Sequence, residues 1–113
     1  MRIFRFNESS KRYPKKVTQS EFFYKKSRFK MISWTLNERT TLFNILTEKQ
    51  NKKNVNWSIS SEFIEIYIGW EFYEIVKLDD DWFTVINTGS WNGTSYFICD
   101  EFEEVVNFLT DLV

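Results

Sequence analysis

The chain has 113 residues, 42% of them apolar and 19% aromatic, with a formal net charge of −1. A chain of this length buries roughly two-thirds of its unfolded surface, and this composition is too apolar for disorder, so one domain with its own core is expected. There is no His and only one Cys, Cys99, which removes Ser-His-Asp and Cys-His catalysis, His-ligated zinc and any internal disulfide.

Arg2–Phe6 alternates apolar and basic residues and reads as a short strand. Asn7–Ser20 is polar, contains the only proline, Pro14, and reads as an extended arm or loop. Glu21–Phe29 fits a helix by the spacing of Phe22, Lys26 and Phe29, and a strand by its aromatic content. In Lys30–Leu36, Ile32, Trp34 and Leu36 alternate with Met31, Ser33 and Thr35, the period of a strand. Asn37 is the expected cap of a helix running from about Glu38 to Gln50, with Leu42, Ile45, Leu46 and Lys49 on one face and Phe43 beside them. Gln50–Asn54 closes it as a polar loop.

The second half reads as a meander. Glu62–Ile68 puts Ile64, Ile66 and Ile68 on one face, Gly69 interrupts, and Trp70–Leu78 returns. Asp79–Asp81 is a turn, Trp82–Asn87 a strand, Thr88–Gly93 a second turn with the hairpin pair Asn92-Gly93, and Ser95–Cys99 the last strand. Asp100 with Glu103 three residues later marks the start of a final helix, whose Phe102, Val105, Val106, Leu109 and Leu112 form one apolar stripe. The expected fold is α+β: an antiparallel meander packed against two helices on one face, with a basic N-terminal arm. The domain is expected to be single, residues 1–30 forming the arm and 31–113 a core with an acidic C-terminal half.

Charge is divided along the chain. Met1–Trp57 holds 14 Lys or Arg against 4 Asp or Glu, and Ser58–Val113 holds one Lys against 12 acids. Such a division points to a charged partner. In the basic stretch, Lys11, Arg12, Lys15, Lys16, Lys25, Lys26, Arg28 and Lys30 are interleaved with Tyr13, Phe22, Phe23, Tyr24 and Phe29. Cations neutralise phosphates and aromatics stack on unpaired bases, so RNA or single-stranded DNA is the expected partner, with an acidic protein as the other occupant of the same residues. The same arm can also lie against the chain's own acidic half. The acidic residues, among them Glu62, Glu65, Glu74 and Asp80, define a second candidate surface. Together with the turn tryptophans Trp91 and Trp57 they would contact a protein. Trp34, Trp70 and Trp82, on strand patterns, are expected in the core.

Asp79–Asp81 lacks the spacing and glycine of a calcium loop, three scattered glycines exclude a phosphate loop, and Cys99 ends an apolar strand as a small buried hydrophobe. No enzyme, cofactor or metal is expected. The function expected is therefore binding within a larger assembly. The alternatives are an acidic-faced inhibitor of a nucleic-acid-binding protein and a self-assembling protein whose basic arm lies on the next copy's acidic face. Ala is absent and Phe, Ile, Lys and Asn abound, the codon signature of an AT-rich genome such as that of a phage or virus, an organelle or an AT-rich microbe. An inhibitor of that origin would be of the anti-defence type. No apolar run reaches the roughly 18–20 residues of a membrane span, and Met1–Phe6 lacks a signal peptide's apolar stretch. A cytoplasmic protein is expected, in the host cell if viral, with an organelle matrix as the alternative.

Overall fold

A computed structural model describes residues 11–52, 54–89 and 93–112. Their chain order is β1 (Lys15–Val17), α1 (Gln19–Arg28), β2 (Met31–Ile32), α2 (Leu36–Lys52), β3 (Val55–Ile59), β4 (Phe63–Ile68), β5 (Glu71–Leu78), β6 (Phe83–Gly89), β7 (Gly93–Cys99) and α3 (Phe102–Thr110). The fold is α+β, with a seven-stranded antiparallel sheet in the order β1-β7-β6-β5-β4-β3 and β2 pairing with β5. β4 to β7 form the expected meander, and β3, which was not expected, adds a fifth strand to it. The strand expected over Arg2–Phe6 lies outside the described residues.

Strand periodicity sorts the sheet into two faces. On one face, Val55, Ile64, Ile66, Ile75, Val85, Phe83 and Cys99 are buried with Leu42 and Leu46 of α2 and Val105 and Leu109 of α3. Trp34, in the loop before α2, closes one end by stacking on Phe83 with ring centroids 5.4 Å apart. At the same end, Lys77 reaches Glu38 of α2 with Nζ 3.0 and 3.1 Å from the two carboxylate oxygens. Both side chains are largely withdrawn from water, so each supplies the other's charge compensation.

The third helix, α1, lies on the opposite face. Its buried Phe22 sits 4.8 Å from Tyr96 of β7, ring centroid to centroid. Helices therefore occupy both faces rather than one. Thr18 and Glu21 cap α1 reciprocally: the Glu21 amide donates to Thr18 Oγ1 and the Thr18 amide to Glu21 Oε1. Thr35 and Glu38 do the same at the start of α2. The cap of α2 is thus Thr35 and not Asn37, because Glu38 stands at the third helical position where a carboxylate can reach back. At α3 the cap position is Glu101, which makes no side-chain capping bond, so the expected Asp100–Glu103 cap does not form. Glu104 accepts from the Asp100 amide at 3.3 Å instead.

The turns follow local chemistry. Gly69 adopts φ +59 at the first central position of the β4–β5 turn, where a primed hairpin turn needs a residue without Cβ. Trp70, next to it, is 82% exposed. Trp82 is also exposed. Both were expected in the core, and both sit at hairpin ends where alternation no longer dictates facing. Asp81 adopts φ 68 in the β5–β6 turn, and the Asp81 amide donates to the Leu78 carbonyl at 2.9 Å.

Candidate functional site

The eight cations of the basic stretch separate into two groups. Arg12 turns inward: Nε and Nη2 donate to Glu104 Oε2 at 3.0 and 2.8 Å, and Nη2 also to Asp100 at 2.8 Å. The Arg12 carbonyl accepts from Asn107 Nδ2 at 2.7 Å. Lys11 lies 3.7 Å from Asp111, and the Tyr13 hydroxyl donates to the same carboxylate. Lys25 pairs with Asp80 and stands 3.7 Å from the ring centroid of Trp82. Lys11, Arg12 and Lys25 are therefore held by the chain's own acidic half.

This ionic cluster has unequal carboxyls. Glu104 is 4% exposed, and burial followed by the Asp100 carboxyl raises its pKa, against the Arg12 hydrogen bond. Its hydrogen bond with Glu104 holds Asp100 below the ordinary carboxylate range, as does Arg12. The two titrate as a pair in two steps, Glu104 taking the first proton as pH falls. A cleft of about 500 Å³ adjoins them, lined by Arg12, Lys15, Glu21, Trp82, Asp100 and Glu104 among others. Its charges are of both signs and largely satisfy one another.

Lys15, Lys16, Lys26, Arg28 and Lys30 form no ion pair among the described residues. Lys16 is in register with Phe97 and so projects from the face of α2 and α3. Lys15, in register with Ile98, projects from the face of α1. Lys26, Arg28 and Lys30 gather where α1 ends, around a second cleft of about 400 Å³ whose other lining is Ser27, Phe29, Met31 and Leu78. Its charged lining is three cations and no carboxylate. Tyr24 stands beside it, 62% exposed, and its hydroxyl accepts from Arg28 Nη1 at 2.7 Å. Phe23 is also exposed on α1. Basic residues in a last helical turn also offset the carbonyl partial charge there. Phe23 packs against Phe22 and Tyr96, with ring centroids 5.3 and 5.8 Å away, and Arg28 lies 5.4 Å over the Tyr24 ring, yet both rings keep a large part of their surface exposed.

The acidic candidates are dispersed. Asp80 is spent on Lys25, and Glu62 lies exposed in the β3–β4 turn. Glu65 and Glu74 are brought directly opposite each other across β4 and β5, beside the Tyr67–Phe72 pair whose centroids are 5.0 Å apart. This part of the sheet is not covered by α1. Trp57 is not a turn residue: it lies mid-strand in β3 on the helix-covered face, and Nε1 donates to Gln50 at 3.1 Å. Trp91 lies outside the described residues. Sequence reasoning passed over Met31, a lining residue of the basic cleft, because alternation alone assigned it to a strand.

Cys99 is fully buried and burial raises its thiol pKa, which disarms it as a nucleophile. Among the described residues no group of three or more His, Cys, Asp or Glu is placed to hold a metal, and no helix is long and apolar enough to cross a membrane. Comparison with family models, curated proteins and solved structures finds no match for this chain.

Proposed function

We propose that this is a non-enzymatic binding protein that contacts RNA or single-stranded DNA through the exit of α1, with Lys26, Arg28 and Lys30 on phosphates and Tyr24 and Phe23 available to stack on bases. The observation that carries the reading is the cleft lined by three cations and no carboxylate, with the exposed Tyr24 ring held beside it by Arg28. Phosphate neutralisation supplies affinity and stacking supplies preference for unpaired strands. Lys15 extends the same face; Lys11, Arg12 and Lys25 serve the fold. The triple variant Lys26→Glu, Arg28→Glu, Lys30→Glu is expected to weaken oligonucleotide binding at least about tenfold in a protein that still folds, its melting temperature lowered by the acids placed in the last turn of α1. Unaltered affinity in that variant would refute the reading.

A second reading rests on Glu65 and Glu74. Like charges set directly opposite across strands destabilise a sheet, and a basic protein partner would recover that cost. In that case the acidic sheet face is the working surface, as in an inhibitor of a nucleic-acid-binding protein of the anti-defence type. It predicts that Glu65→Gln with Glu74→Gln abolishes partner binding while the triple variant above leaves it intact.

A further inference from the structure

The two edges of the sheet are built differently. β1 is three residues long, carries Lys15 and Lys16, and follows Pro14. Short length, lysine and proline are the usual protections of an edge against pairing with another strand. β3, at the other edge, has none of them: it is Val-Asn-Trp-Ser-Ile, five residues without charge or proline. Among the described residues it pairs with β4 alone.

The phase of that pairing fixes what β3 offers outward. The Ser60 amide donates to the Phe63 carbonyl at 3.0 Å, so Ser60 and Phe63 are a hydrogen-bonded pair. Alternation along the antiparallel ladder then makes Ser58 and Asn56 the residues bonded to β4. The amides and carbonyls of Val55, Trp57 and Ile59 point away from β4, toward the open edge.

We propose that a second copy of this chain pairs with that edge, β3 against β3 antiparallel about a two-fold axis through Trp57. Three observations choose this occupant. The outward residues match themselves in that register, Trp57 opposite Trp57 and Val55 opposite Ile59, so every outward group finds a partner of the correct phase. The Trp57 ring is packed edge-on by Phe43 of α2 at 5.3 Å, and Phe43 is 51% exposed; pairing sets two such aromatic pairs side by side. The ends of β3 also carry opposite charge, with exposed Lys52 preceding it and exposed Glu62 following it. Antiparallel pairing lays each Lys52 end along the other copy's Glu62 end, whereas parallel pairing would set like beside like. Among the described residues Lys52 has only an exposed contact with Glu48 at 3.6 Å to give up, one of little worth. The sheet would then run continuously through both copies, leaving the α1 cleft free.

Analytical ultracentrifugation of the full chain, from low-micromolar to near-millimolar concentration, tests this. The wild type is expected to dimerise. Lys52→Glu alone and Glu62→Lys alone, both at exposed positions, are each expected to weaken the dimer about tenfold, and Phe43→Lys likewise. Mixing the two single charge variants restores association to near the wild-type level, because each end of the mixed interface again joins one acid to one base. The double charge-swapped variant recovers for the same reason. A monomer at every concentration would overturn the proposal, as would a dimer indifferent to these charges or single variants that fail to associate when mixed.

Discussion

Arg12 is a cation whose surroundings override its position in a basic stretch. Held on Glu104 and Asp100, it ties the residues before β1 to the start of α3. In carboxyl NMR, Glu104 is expected to titrate above the ordinary glutamate range and Asp100 below the ordinary aspartate range. Arg12→Gln moves Glu104 higher still, since the hydrogen bond that lowers it is gone; a fall on substitution would contradict the geometry. Asp111 and Glu21 are also lowered, by the Tyr13 hydroxyl and by Thr18 respectively. A lowered folded value means stability present above the unfolded value of about 4 and lost as pH falls through the folded one. Glu104, raised, has the opposite sign: its contribution is present at low pH and lost as pH rises through its folded value. Asp111→Asn is therefore expected to flatten the acid limb of a denaturation-midpoint profile. Cys99 should resist a thiol reagent in the native state and react at once in denaturant, its burial being complete.

At the scale of elements, Lys77 and Glu38 lock the start of α2 to the end of β5. Lys77→Ala leaves Glu38 withdrawn from water without its cation and should cost about 3 kcal/mol in chemical denaturation. A double-mutant cycle with Glu38→Gln should return a coupling of about 1–3 kcal/mol. Glu74→Gln on the uncovered sheet face should instead stabilise by about 0.5 kcal/mol, because it relieves the facing Glu65. The meander and α3 were legible because alternation and the Phe102–Leu112 stripe are long enough to average over exceptions. Two capping boxes were also written plainly, Thr18-x-x-Glu21 and Thr35-x-x-Glu38, yet the former segment read as ambiguous because Phe23 and Tyr24 break the apolar face of α1. Val55, Trp57 and Ile59 alternate as a strand should, but five residues after a polar loop give a weak signal. Ile32, Trp34 and Leu36 alternate too, and there the pattern misled: only Met31–Ile32 pairs, and Trp34 is buried by a loop rather than a strand.

At the scale of the molecule, the divided charge is partly consumed by folding. Lys11, Arg12 and Lys25 meet Asp111, Glu104 and Asp80 across sequence separations that no local pattern reveals. What remains is a basic cleft at the exit of α1 and an acidic sheet face on β4 and β5. The residue types of the candidate site were legible in the sequence; their partition into structural and available cations was not, because it depends on which carboxylates the topology brings near. The central claim is that the available group meets phosphates. Fluorescence anisotropy of labelled single-stranded RNA and DNA, titrated with the protein at several salt concentrations, tests it most directly. Binding is expected whose log affinity falls with log salt at a slope of about −2 to −3, matching three or four phosphates neutralised on a single strand. No binding at low salt, or binding indifferent to salt, would contradict it.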